Sequence, residues 1–233
     1  SHLAPTNAEA LKPALQSWAG TYNEGIFYSG SYAKHTAVKG TTDIDLFISL
    51  SSSYPGTLKE IYESLFQYAS DRGWVPRRQN VSIGVTFRDT KIDLVPGRIQ
   101  PGYRNYHWLY RRRTGTWIQT NVVDHINLVE KSRRTDEIRA IKIWRNCHNL
   151  DFPSFYLELA VIDALYGKAI GALASNVLSV LRYLADSFQT ARVIDPANSN
   201  NTVSDDLAPA DKSIVVLMAR NSLTKGTWNE ILW

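Results

Sequence analysis

Apolar residues recur along the first half of the chain with two different periods. Over residues 6 to 20, Leu11, Leu15 and Trp18 share one helical face and Gly20 ends the run. Gly25 to Tyr28 is a short apolar segment broken at Gly30. From 43 to 50 the period is two, with Ile44, Leu46 and Ile48 on one side, which predicts a strand. Residues 58 to 70 return to helical spacing through Leu58, Ile61, Leu65 and Ala69, and Gly73 stops them. Residues 81–87 and 91–95 predict two strands across the turn Arg88-Asp89-Thr90, with Pro96-Gly97 ending the second. After about residue 120 the pattern reads as helix, over 121–130, 136–148, 153–169, 175–190 and 208–225. Asp195-Pro196 and the Asn-rich stretch 198–201 interrupt the last two. Strands with helices followed by helices alone predict an α+β lobe over 1–120 and a helical lobe over 121–233.

Composition narrows this only a little. The chain has 233 residues, 44% hydrophobic and 21% charged, which suits a folded globular protein rather than a disordered one. It holds no apolar run of 18 or more residues and no recognisable signal peptide, so a cytoplasmic protein without a membrane partner is expected. Ser1-His2 leaves the natural N-terminus open. Cys147 is the sole cysteine, which excludes an intramolecular disulfide and a multi-cysteine zinc site. The five histidines show no i, i+4 metal spacing. A net charge of +4 suits a phosphate-bearing partner but is too weak to indicate a nucleic-acid activator. The basic run Arg111-Arg112-Arg113, beside Tyr110 and Trp117, reads as a solvated hairpin.

The chemistry is concentrated in a few acids. Asp43 and Asp45 are two apart in a predicted strand, so their side chains project together, away from Ile44 and Leu46. Neighbouring carboxylates repel, and a divalent cation removes that penalty. Asp93 lies between apolar neighbours in a second strand. If the two strands pair, three carboxylates converge, enough for a two-metal site. Mg²⁺ fits such oxygen donors together with phosphate, and Mn²⁺ is the alternative. Gly30-Ser31 precedes a short helix, where glycine lets backbone approach a phosphate closely. Asp-x-Asp alone is common on solvent-facing strands, and Gly-Ser alone is usually a turn. The joint pattern, with Gly30 thirteen residues before Asp43 and a later strand acid, is far more specific.

Ser29-Gly30-Ser31-Tyr32-Ala33-Lys34-His35-Thr36-Ala37-Val38, followed by Thr42-Asp43-Ile44-Asp45-Leu46, resembles the signature of the DNA polymerase β-like nucleotidyltransferases. It is similar, more narrowly, to the cGAS/DncV-like branch (CD-NTases), which includes the oligoadenylate synthetases. Ile138-Arg139-Ala140-Ile141-Lys142-Ile143-Trp144 resembles that branch's helix with a triphosphate-binding lysine. Val193 to Val203 resembles its Asp-Pro-rich segment. The matches run from 29 to 207 in the family's order and look nearest to the bacterial anti-phage (CBASS) enzymes.

The resemblance implies a bilobal enzyme with a nucleotidyltransferase lobe over 1–120 and the nucleotide in a cleft. Asp43, Asp45 and Asp93 would be catalytic and hold the metal. Gly30, Ser31, Lys142 and Ser154 would bind phosphates, and Phe155 or Tyr156 would stack on the base. Asp195 is expected to shape its loop. A zinc ribbon like that of the animal DNA sensor is excluded by the single cysteine, and His35 stands where relatives often have glycine or another small or basic residue. The implied activity makes cyclic or short linear oligonucleotide messengers from nucleoside triphosphates, in an enzyme expected to be a monomer with room for a regulatory partner protein. Two other readings stay open: a template-independent enzyme extending RNA 3′ ends, and an inactive nucleotide-binding regulator.

Overall fold

A computed structural model describes residues 3–39 and 43–232. The chain divides into two compact units, one running to Lys34 and from Lys39 to Ile126, the other comprising His35–Val38 and Asn127–Trp233. The division falls inside a helix, a few residues beyond the 120/121 boundary that the change of pattern suggests.

The first unit is built on a seven-stranded mixed sheet. Helix α1 (Leu3–Ala19) leads into β1 (Asn23–Ser29), the four-residue helix α2 (Gly30–Ala33) and β2 (Ile44–Leu50). Then come α3 (Leu58–Asp71), β3 (Arg77–Arg78), β4 (Ile83–Phe87), β5 (Thr90–Gln100), β6 (Tyr103–Arg111) and β7 (Thr116–Thr120). The order is β1-β2-β5-β4-β3, with β6 on the far half of β5 and β7 on β6. Among the described strands of this sheet, only β2 and β5 run parallel. The period-two residues Ile44, Leu46, Ile48 and Leu50 are buried with Ile92 and Leu94 against α1 and α3, whose Leu11, Leu15, Ile61 and Leu65 complete the core. Each such side chain contributes about 1.5–3 kcal/mol on burial. That total far exceeds the cost of a few like charges, so the other face can carry acids.

The second predicted strand does not stop at Pro96-Gly97 but continues to Gln100. β4 pairs with β5 up to Leu94 and β6 takes over from Arg98, so residues 95–97 meet no strand on that edge. Proline lacks an N–H, and this gap is where the ladder tolerates it. Gly97 is equally suited: a Cβ there would lie 2.4 Å from Phe47 Cζ.

The second unit is mostly helical: α4 (Val122–Ser132, which begins in the first unit), α5 (Thr135–Cys147), α6 (Ser154–Ala164), α7 (Leu173–Asp186), α8 (Pro209–Leu223) and α9 (Trp228–Leu232). The hairpin β8 (Ile194–Asp195) and β9 (Asn198–Thr202) interrupts them. Ile138, Ile141, Trp144, Leu157, Val161, Val180 and Leu184 form its core. Helix α6 ends at Ala164, five residues short of the predicted 169, where Tyr166 is exposed and Gly167 takes a left-handed backbone. No described helix is long and apolar enough to cross a membrane.

Candidate active site

The parallel pairing of β2 with β5 sets Asp45 directly opposite Asp93. The same row continues outward: Ser29 of β1 lies opposite Asp45, Gly84 of β4 opposite Asp93, and Arg77 of β3 opposite Gly84. One register thus carries a serine, two acids, a glycine and an arginine across five strands. Asp43 immediately precedes β2. Burial, then the nearby charge of Asp43, pushes the Asp93 carboxyl up to about 6. The Gln79 hydrogen bond and the Arg77 charge pull the other way.

Two glycines make room for these acids. An ideal Cβ on Gly30 would lie 1.8 Å from Asp45 Oδ2, so the carboxylate occupies the space a side chain would fill. Gly30 also has φ +57°, the left-handed region that glycine adopts freely. Gly30 therefore serves the acid directly, and Ser31 follows it half-buried in α2. A Cβ on Gly84 would come within 2.8 Å of Gln79 Nε2 and 3.1 Å of Asp93 Oδ1. Through that opening Gln79 Nε2 donates to Asp93 Oδ1 at 2.9 Å. The amide is itself oriented, because Ser82 Oγ donates to Gln79 Oε1 at 2.6 Å. The buried Tyr62 hydroxyl donates toward the carbonyl oxygens of Gln79 and Ser82. Sequence reasoning missed Gln79; its only signal was proximity to the strand carrying Ile83.

Among the described residues, no three His, Cys, Asp or Glu side chains are drawn tightly enough together to hold one ion. The convergence is of strand positions, with Asp45 turned toward Gly30, and not of a closed cage. The donor chemistry still fits a divalent cation: the acids are hard oxygen donors, and burial first, then the like charge of Asp43, raises the Asp93 carboxyl, a cost that a cation would offset.

The second unit holds the remaining predicted residues. Lys142 is buried on α5, and its Nζ donates to Glu158 Oε1 at 2.7 Å and Thr36 Oγ1 at 2.9 Å. Thr36 Oγ1 donates in turn to Glu158 Oε1 at 3.0 Å. The lysine that the resemblance assigns to a triphosphate is here a buried ion-pair partner of Glu158. Three residues on, Arg145 Nη1 donates to Ser154 Oγ at 3.0 Å and Phe152 O at 2.9 Å. Burial lowers its pKa, opposed by the charges of Glu158 and Asp151. Ser154 is exposed at the first position of α6. Tyr156 is fully buried and stacks on Phe188 with centroids 4.9 Å apart. Phe155 is half-buried against the core. Asp195 shapes its hairpin, accepting from Ala197 N at 2.9 Å and Asn201 Nδ2 at 3.1 Å. His35 has φ 56°, which explains why glycine suits that position.

No family model matches the chain. Its sequence is 25% identical over 210 residues to the CBASS oligonucleotide cyclase CdnC of Escherichia coli (strain KTE188), covering 82% of this chain and 67% of that protein. The structure of E. coli MS115-1 CdnC with ATP superposes with a TM-score of 0.78 at 19% identity, covering 98% of this chain and 90% of that one. The same CdnC has also been solved in complex with HORMA-deltaN. The Bradyrhizobium diazoefficiens CD-NTase CdnG in complex with GTP gives 0.74 at 15% identity, over 95% and 84%. The fold is that of the CD-NTase structures, and the acidic row lies on its sheet. Among such enzymes its sequence relatives are the CBASS oligonucleotide cyclases.

Proposed function

We propose that this protein joins nucleoside triphosphates into cyclic or short linear oligonucleotide messengers. The observation that carries the reading is the register of Asp45 opposite Asp93, with Asp93 pushed up to about 6 by burial and by Asp43. A hydroxyl oxygen of the acceptor nucleotide attacks the donor's α-phosphorus. The bond to pyrophosphate breaks, and the hydroxyl proton passes to solvent. A second transfer within the product closes a ring. Asp43, Asp45 and Asp93 would hold Mg²⁺, or Mn²⁺ in its place, which when bound offsets charge on the triphosphate and acidifies the hydroxyl. Gln79 keeps Asp93 aimed, and Gly30 gives Asp45 its position. Lys142 and Ser154 supply a cation and a hydroxyl for phosphates, and Arg145, bonded to Ser154 Oγ, adds a second cation. Phe155 is the aromatic left to meet a base. Catalysis of this kind rests on positioning and charge neutralisation.

The resemblance to CBASS cyclases supports a place in anti-phage signalling, and the HORMA complex of CdnC supports a regulatory protein partner. The test is incubation with all four nucleoside triphosphates and Mg²⁺ or Mn²⁺, wild type beside Asp45→Asn. Phosphatase-resistant products are read by mass spectrometry. An oligonucleotide formed by wild type alone is expected. Extension of an added RNA primer without free oligonucleotide would move the assignment to RNA-end transfer.

A further inference from the structure

The first unit holds a second site, remote from the acidic row. Asp93 and Arg98 are five positions apart on β5, so they point to opposite faces of the sheet. They are also about 16 Å apart along the strand. Around Arg98 lies a cavity of about 560 Å³ between the first turn of α3 and the β6–β7 hairpin. That volume lies within the ordinary range for small-molecule sites, roughly 300–1,000 Å³.

Three aromatic side chains, Trp108, Tyr110 and Trp117, line it with the cations Arg98 and Lys59. All three rings come from one hairpin, where Trp108 and Tyr110 alternate on β6 and Trp117 sits opposite Tyr110 on β7. Trp117 is 65% exposed, so the hairpin gains little of its burial energy. The hairpin is nonetheless held in place: Arg112 N donates to Asn80 O at 2.8 Å and Arg113 N to Asn80 Oδ1 at 3.1 Å. Tyr110 packs edge-on to Tyr62 at 5.6 Å. Arg98 Nη1 donates to Gly56 O at 2.7 Å, which anchors the guanidinium while its fork offers further donors. Glu60, the carboxylate beside Gly56, is turned into the α3 cap, where it accepts from Thr57 N at 2.6 Å. Among the described residues, no carboxylate lines the cavity.

We infer that this cavity binds a nucleoside monophosphate or a ligand of that chemistry. The planar base lies against the Trp117, Trp108 and Tyr110 rings and the phosphate meets Arg98 and Lys59. Stacking contributes about 1–3 kcal/mol per base, and a guanidinium fork matches phosphate geometry. The inference rests on this cavity alone and stands apart from the catalytic assignment.

The experiment titrates AMP into the full chain in EDTA, read by tryptophan fluorescence and calorimetry. Adenosine and inorganic phosphate serve as half-ligands. Saturable binding is expected, at least tenfold tighter for AMP than for either half. Trp117→Ala and Arg98→Gln should each weaken it tenfold or more, with melting temperatures confirming that the variants fold. Arg98→Lys, which keeps the charge but loses the fork, should fall between. Asp45→Asn should bind as wild type does. No saturable binding, binding indifferent to Trp117 and Arg98, or binding lost with Asp45→Asn would each overturn the assignment.

Discussion

Two charge clusters in this chain are built on opposite principles. In the second unit, Lys142 and Glu158 are all but sealed from solvent and satisfy one another, with Thr36 completing the set. In the first, two parallel strands place Asp45 and Asp93 side by side, and Asp43 adds a third like charge. Opposite charges that complete each other hold a fold. Like charges forced together store a cost that a cationic ligand releases. The same residue types therefore mean different things in the two places, and the sign of the neighbour decides which.

The comparison breaks most sharply at the acids. Asp45→Asn and Asp93→Asn should each lower messenger synthesis by about 10³-fold or more, since several kcal/mol of transition-state stabilisation depends on a charged ligand. Neither should lower the melting temperature, because each removes repulsion. A variant that keeps its activity would end the metal assignment, and one that unfolds would recast the row as structural.

Lys142 should behave in reverse. Lys142→Met leaves the buried Glu158 without its opposite charge and should cost about 3–5 kcal/mol in urea unfolding. Lys142→Met/Glu158→Leu should recover most of that loss. If Lys142→Met instead keeps wild-type stability and raises KM for nucleoside triphosphate, the lysine is a substrate ligand after all.

Gly30→Ala sits between the two. Its Cβ must displace the Asp45 carboxylate, so synthesis should drop about 10²-fold, as for a ligand misplaced by an ångström. Unchanged turnover would mean that Asp45 reaches its working position without the space Gly30 leaves.

The smallest effect concerns pH. Asp93 has a folded-state pKa above its ordinary value of 3.8, so the folded chain binds that proton more tightly than the unfolded chain does. Its contribution to stability is therefore favourable below about pH 4, declines as pH rises toward about 6, and is flat above. The swing is on the order of 1–3 kcal/mol. Thermal melts of wild type from pH 4 to 7 should show this decline relative to Asp93→Asn. Mg²⁺ should offset it at pH 7 and have little effect at pH 4. Parallel profiles for the two proteins would mean that Asp93 carries no such shift.

The acidic row was legible because its information is local: period-two spacing fixes which face Asp43 and Asp45 occupy, and apolar neighbours mark the strand bearing Asp93. What the sequence hid depends on distant partners. Lys142 reads as a phosphate-binding lysine, and nothing local shows that Glu158 and Thr36, 16 and 106 positions away, are brought to it. Tyr156 reads as a stacking platform until Phe188 covers it. Gln79 has no periodicity to betray it, and only the missing side chain at Gly84 lets it reach Asp93. The solvated hairpin expected at Arg111-Arg112-Arg113 is a turn with residues 112–117 exposed, but the cavity that its aromatic residues line depends on α3.

The change of partner along β5 has a mechanical meaning. The strand is clamped on both edges near Asp93 by β2 and β4, and near Arg98 by β2 and β6, but on one edge only at residues 95–97. Those three residues work as a splice joining two half-sheets. In deuterium exchange, Val95 and Gly97 should take up label ahead of Leu94, since fewer neighbours must part to release them. The acidic row stands on one side of that joint and Arg98 on the other.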